Sequence, residues 1–387
     1  MNRLLLIDGN SLLHRAYHAL PPLTDKKGEM ANAVFGFSNM LIKAIGEVKP
    51  DHIGCAFDTG APTFRHIEFA EYKAQRVAPP PDLYPQLPKV KKILDAFGIK
   101  YFEKEGYEAD DLIATLVSRF VNGSSLIVNR ENKKKKIPTN DKRLTMNIVI
   151  LSGDRDVLQL VNGNVKVQMP SFTKVTEGKP GWGVLVGAKE VRGKYGIEPC
   201  QMVDYKSLIG DPSDNVPGIL GIGPKTAAQL LQKYQTLENL FKHVKENPLH
   251  IREKLEAGHD IALAAKKLVE LDSNVDLTTC LPVFDSDHSA SRSGSEDPSG
   301  SRTTSSWPRG VVQTRGAGRF TINDLRFRPD WEKVRMEYEG LGFKSIVAKL
   351  SQVHSSQLTV HSNKKQKKSV NCQPSTVNQS DDQLKLV

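Results

Sequence analysis

Three short apolar runs in this chain each end on an aspartate, and the stretches between them have helical periodicity. Residues 4–7 lead into Asp8, residues 53–57 into Asp58, and residues 148–151 into Asp154 and Asp156. Residues 33–47, 83–97 and 109–120 place apolar side chains three and four apart, the spacing of an amphipathic helix. Apolar strands alternating with such helices specify a mostly parallel sheet flanked by helices, and a further strand is expected at 165–168. In an open parallel sheet the strands end on one edge, where ligands bind. The aspartates would therefore converge there.

Composition narrows the class. A chain of 387 residues with 39% hydrophobic content can bury one large core or two ordinary ones. No apolar run approaches the ~18 residues of a membrane span, and the opening MNRLLLIDGN meets an acid too early for a signal peptide. Cys55, Cys200, Cys280 and Cys372 show neither CxxC spacing nor histidine pairing, so a zinc site or disulfide framework is not expected and an intracellular, reducing setting is. The net charge of +10 is compatible with nucleic acid but does not decide for it.

The pattern divides the chain. Residues 1–187 hold the α/β part, interrupted at 122–147 by a polar insert with four consecutive lysines. Residues 188–285 read as a helical subdomain with a helix–turn–helix at 216–234. Residues 286–318, rich in Ser, Arg and Gly, read as a disordered linker. Periodicity returns at 319–350, expected to pack on the fold, and 351–387 reads as a disordered tail.

More acids join the strand-end aspartates. "GYEADDL" supplies Glu108, Asp110 and Asp111 at a helix start, and "GDPSDN" supplies Asp211 and Asp214 on a turn. Singly, each has a plain explanation: aspartates form turns, and acids suit the first turn of a helix. Together, nine carboxylates on one edge would repel one another unless cations sat among them. Oxygen ligands without Cys or His suit Mg²⁺ or Mn²⁺. Two such ions about 4 Å apart are a known device for phosphodiester cleavage.

Phosphate-binding groups lie nearby in the chain. "FRHIEFAEYKAQR" offers Arg65, Lys73 and Arg76, with Tyr72 as a stacking ring, although an exposed helix is the plain alternative. Arg15 lies seven residues after Asp8 and is assigned to phosphate as well. In "GILGIGPKTAAQLL", Gly221 and Gly223 permit a tight turn before a helix that opens on Pro224. The free N–H groups there, with Lys225 and Thr226, can hold a phosphate without reading bases. A helical pattern, not a strand, precedes this turn, and GxxxxGK[ST] is absent, so it is not a P-loop.

LLIDGN, FD followed by FRH and YKAQR, GYEADD, LSGDRD and GDPSDNVPGILGIGPKTA occur in an order that resembles the 5′→3′ exonuclease domain of bacterial-type DNA polymerase I. That domain belongs to the flap endonuclease family, and the resemblance covers about 1–121, 148–285 and 320–350. It implies a PIN-like α/β fold followed by a helix-hairpin-helix DNA-binding subdomain, and Mg²⁺-dependent hydrolysis near the 5′ ends of DNA at flaps, nicks and RNA-primed ends. It assigns the metal site to Asp8, Asp58, Glu108, Asp110, Asp111, Asp154, Asp156, Asp211 and Asp214. Residues 65–87 become an arch over the 5′ end, with Lys73 and Arg76 at the scissile phosphate. The glycine turn becomes a duplex grip, often with a K⁺ on its carbonyls. With no polymerase domain, a monomeric, free-standing nuclease working beside a separate polymerase and ligase is implied. The inserts resemble a eukaryotic version, which suggests a mitochondrion or plastid, with cytoplasm or nucleus as alternatives. A non-catalytic DNA-binding protein would lack some of the acids. A PIN-type ribonuclease would lack the glycine turn, and an aspartyl phosphatase would carry DxD after its first strand.

Overall fold

A computed structural model of the chain describes residues 2–121, 146–170, 183–277 and 320–355. The linker at 286–318 lies outside them, as do residues 122–145 of the basic insert and the tail beyond 355. Strands β1 (Asn2–Asp8), β2 (His52–Ala56), β3 (Lys100–Phe102), β4 (Met146–Leu151), β5 (Val165–Met169) and β6 (Val184–Val186) form one sheet in the order β3-β2-β1-β4-β5-β6. The first five are parallel and β6 runs antiparallel at the edge. The order reverses between β1 and β4, which places a crevice beyond their carboxyl ends.

The alternation of side chains along β1 explains how two layers of helix find the sheet. Leu4 and Leu6 enter one core and Leu5 and Ile7 the other, all fully buried. Helices α1 (Gly9–Ala19), α2 (Asn32–Val48) and α4 (Leu87–Ala96) cover the second face, and α3 (Phe64–Glu68) is a single short turn before α4. The first face takes α5 (Ala109–Val121) and the helical part of the chain. That part comprises α6 (Ala188–Tyr195), α7 (Met202–Ile209), α8 (Pro224–Tyr234), α9 (Leu237–Lys242), α10 (Leu249–Ala257) and α11 (His259–Val269).

Strands β3 and β6 are absent from the sequence reading. Each has three residues, too few to show a period, and β6 is largely exposed. β4 starts at Met146, inside the expected insert, because Met146 pairs with Asn2 and is buried.

The C-terminal segment packs on the α1/α2/α4 face. Helix α12 (Trp331–Leu341) begins at the Asp330 cap and stops at Gly342, whose φ of 82° suits glycine. Helix α13 follows over 344–355. It continues past Leu350, where the sequence loses its apolar period, because Val353 still meets the core and the His354 ring stacks on Trp331 at 5.1 Å. Phe97, at the end of α4, ties this segment down. Its ring is fully buried and lies 5.9 Å from Trp331, 6.3 Å from Tyr338 and 6.4 Å from Phe327. Truncating a buried aromatic costs about 3–5 kcal/mol. Phe97→Ala should lower the urea midpoint accordingly and expose α12 to protease, and a midpoint within error of wild type would contradict this packing.

Candidate active site

Four elements bring the acids together. Asp8 ends β1 and caps α1, accepting from the Ser11 N–H at 2.9 Å and the Ser152 hydroxyl at 2.6 Å. Asp58 follows β2 and accepts from Asn10 Nδ2 at 2.9 Å and the Ala109 N–H at 2.7 Å, which ties it to the start of α5. Asp110 lies in the first turn of α5, and its buried Oδ1 has no hydrogen-bond partner among the described residues. Asp154 lies in the loop after β4, held by its N–H to Ser152 Oγ at 2.9 Å and by the Asp156 N–H at 3.0 Å.

These four acids form no ion pair among the described residues, and Asp8, Asp58 and Asp110 are shifted upward in titration. Burial, then the charge of Asp58, pushes Asp8 up to about 7. Burial raises Asp58 despite the Ala109 N–H bond. Burial and the charges of Asp8, Asp154 and Asp58 drive Asp110 well above the carboxylate range. A buried acceptor with no donor, among acids that oppose one another's ionisation, fits a hard cation.

The other five acids already face cations. Arg65 forms a fork to Asp111, both bonds 2.8 Å. Lys73 Nζ lies 2.6 Å from Glu108 and 3.8 Å from Asp214. Arg76 donates to Asp214 at 2.6 Å. Lys206 bridges Asp156 and Asp211, the latter at 2.6 Å. Burial works against ionised Asp211, but Lys206 and two bonds from Ser213 outweigh it and leave the group below its usual range. Among the described residues no three His, Cys, Asp or Glu groups surround one point.

The structure takes two expected DNA contacts inward, and both corrections have a clear cause. Arg65 is 1% exposed, and beyond Asp111 it donates to the carbonyls of Leu268 at 2.8 Å and Glu270 at 2.9 Å. It is a buried brace. Asp111 is fully buried and also accepts from the Glu108 and Asp272 N–H groups, so its lone pairs are spent on the fold rather than on the cluster. Tyr72 is 3% exposed, and its hydroxyl lies 3.3 Å from both Glu108 and Asp214, so its ring offers no surface for a base. Arg15 donates to the Pro170 carbonyl and flanks Gly153, beside the loop that carries Asp154. Lys73 and Arg76 do reach the acids. Their segment is a series of turns, with Lys73 at a φ of 56° and its N–H on the Asp214 carbonyl at 3.0 Å.

Asp211 and Asp214 share one closed loop with the glycine turn. Backbone bonds of 2.9 Å run both ways between Asp211 and Val216, and the Ile219 N–H reaches the Leu208 carbonyl at 2.9 Å. Gly210 and Gly218 cross here. A Cβ on Gly218 would lie 2.2 Å from the carbonyl carbon of Ile209, so only glycine fits. Beyond the crossing, Gly221 takes a φ of 80°, and Gly223 starts α8 without any side-chain cap. Lys225 is exposed and Thr226 half-buried in the first turn, leaving N–H groups free. The Gly221 carbonyl accepts from Lys254 of α10 at 3.2 Å.

Lys206, Ser152 and Asn10 were missed by the sequence reading. A lone lysine in the buried stretch "DYKSL", five residues before Asp211, was the available signal for Lys206.

Residues 3–196 match the family described as "5'-3' exonuclease, N-terminal resolvase-like domain", and 197–289 match "5'-3' exonuclease, C-terminal SAM fold". The chain belongs to the 5′–3′ exonuclease family. It is similar to DNA polymerase I of Caldicellulosiruptor bescii, 40% identical over 281 residues that cover 72% of this chain and 30% of the relative. The thermostable DNA polymerase I of Thermus thermophilus is 37% identical over 275 residues, covering 71% and 29%. The chain thus spans under a third of the length of these curated relatives. A bacteriophage T5 flap endonuclease, solved as a pseudo-enzyme-product complex with DNA and metal ions, matches with a TM-score of 0.51 at 18% identity. That match covers 70% of this chain and 90% of the other, and shows the shared PIN-like fold. Among the described residues no helix is long and apolar enough to cross a membrane.

The raised Asp8 has a consequence for stability. The folded protein holds that proton to about 7, whereas an unfolded chain releases it near 4. Stability therefore falls as pH rises between those values. In chelator, Asp8→Asn should gain on wild type in urea midpoint at pH 8 and lose that gain by pH 4. A gain that grew toward acid pH would contradict the burial of this carboxylate.

Proposed function

We propose that this member of the family is a divalent-metal-dependent 5′-nuclease acting on DNA with 5′ flaps, nicks or RNA-primed ends. The observation that carries the reading is a set of four acids, Asp8, Asp58, Asp110 and Asp154, that form no ion pair among the described residues, with the buried, orphaned oxygen of Asp110 among them. The donor set suits Mg²⁺ or Mn²⁺, and Glu108, Asp156, Asp211 and Asp214 at its margin fit a second ion. Such a pair supplies an activated water and stabilises charge on the attacking and leaving oxygens.

The chain's own residues do the rest. Ser152 and Asn10 orient Asp8 and Asp58 by donating to them. Lys73 and Arg76 sit on a turn-built segment beside the acids, and the Arg76 side chain, 52% exposed, can exchange its carboxylate for a scissile phosphate, with Lys73 next to it. The Gly221–Thr226 turn holds a backbone phosphate further along the duplex, with a K⁺ on its carbonyls as the family resemblance implies. The closed loop from Asp211 to Val216 fixes its distance from the acids. We further read it as a monomeric, intracellular nuclease whose product passes to a polymerase and a ligase, with a mitochondrion or plastid suggested by the inserts and cytoplasm or nucleus as alternatives.

The test is a 5′-labelled flap and a nicked duplex incubated with and without Mg²⁺. Cleavage near the 5′ end should require the ion, and Asp154→Asn should lower turnover at least about 100-fold while binding persists. Full turnover in that variant would contradict the reading. Lys225→Ala should weaken duplex binding at all sequences and reduce the salt slope by about 1. A loss confined to particular bases would contradict a backbone grip.

A further inference from the structure

Lys206 is the feature that the proposed reaction does not use. It projects from α7, whose residues Tyr205, Ser207 and Leu208 are all buried, and it is itself 9% exposed. Its ammonium touches both Asp156 and Asp211. The other cations at the site differ in kind. Lys73 and Arg76 belong to a turn-built segment and Arg76 reaches solvent, so they can be drawn toward a substrate. Arg65 is locked on Asp111, away from the four open acids. Lys206 stands between two of the outer acids on a helix, with its stem enclosed among buried neighbours.

This divides the acids unequally. Among the described residues the inner set, Asp8, Asp58, Asp110 and Asp154, meets no ammonium or guanidinium within ion-pair distance, whereas Asp156 and Asp211 of the outer set share the one charge of Lys206. An ion entering the outer position faces a tethered cation that opposes it and competes for the same oxygens. We propose that Lys206 is a built-in counter-cation that keeps the outer metal position weak, so the two ions bind with unequal affinity and Lys206 sets the gap. This rests on the metal-site reading above and adds to it the residue that controls ion occupancy. The pair is then completed only when metal is plentiful, or when a phosphate adds negative charge beside Lys206.

The test is Mn²⁺ titration of the DNA-free, full-length protein, with free Mn²⁺ counted by electron paramagnetic resonance. Wild type should bind one ion tightly and a second at least about tenfold more weakly. Lys206→Met should tighten the second site at least about tenfold and leave the first unchanged, and Lys206→Arg should behave as wild type. Lys206→Gln, uncharged but able to donate to both carboxylates, carries the same expectation as methionine and covers a methionine variant that fails to fold, as judged by circular dichroism. A second-site affinity unchanged in the neutral variants overturns the role of Lys206 while leaving the metal site standing. No tight Mn²⁺ in any folded variant overturns the metal site and this proposal with it.

Discussion

Repulsion among carboxylates crowded at one sheet edge is the constraint on which the rest of this structure depends. Parallel strands deliver Asp8, Asp58 and Asp154 to the same edge, and α5 adds Glu108, Asp110 and Asp111. Left to themselves these groups would oppose folding, because each charge is taken from water and placed beside others of the same sign. The chain answers in two ways. Arg65, Lys73, Arg76 and Lys206 cancel the outer acids, and the inner four are held by N–H and O–H donors and by retained protons. A residue of charge is left at the centre. That residue is a chemical resource, since a hard cation gains most where the protein's own cations are absent.

The same compensation joins the two parts of the chain. Arg65 reaches from α3 to the carbonyls of Leu268 and Glu270, and Asp111 accepts from Asp272, so the helical part closes over the sheet through a buried ion pair. Lys206 does so from α7 to Asp156 after β4. Breaking such a pair by deleting one partner leaves an uncompensated buried charge, a loss of about 3–5 kcal/mol in other proteins. Hence the acids, the turns carrying Lys73 and Arg76, and the closed loop from Asp211 share one frame, and the Gly210–Gly218 crossing ties that frame to the Gly221–Thr226 turn.

Much of this was legible in the sequence because it rests on local patterns. Apolar runs marked β1, β2, β4 and β5, and three- and four-residue spacing marked α2, α4 and α5. The strand-end rule then placed the aspartates on one edge. What stayed hidden depends on partners far along the chain. Nothing near Arg65 distinguishes it from Lys73 or Arg76, yet its guanidinium is fixed by residues some two hundred positions away. Tyr72 looked like a stacking ring because aromatic and basic residues alternate there, and only the tertiary fold shows its hydroxyl between Glu108 and Asp214. Lys206 showed a faint signal, a charge in an apolar helix, without indicating its partners.

The central claim is that Asp8, Asp58, Asp110 and Asp154 together hold a divalent cation. The most direct measurement is anomalous X-ray scattering from crystals of the protein soaked in Mn²⁺. The account predicts an anomalous peak bounded by these four carboxylates, with Asp110 Oδ1 among its ligands, and its disappearance in Asp110→Asn crystals. No peak there, or one held by the outer acids alone, would contradict it.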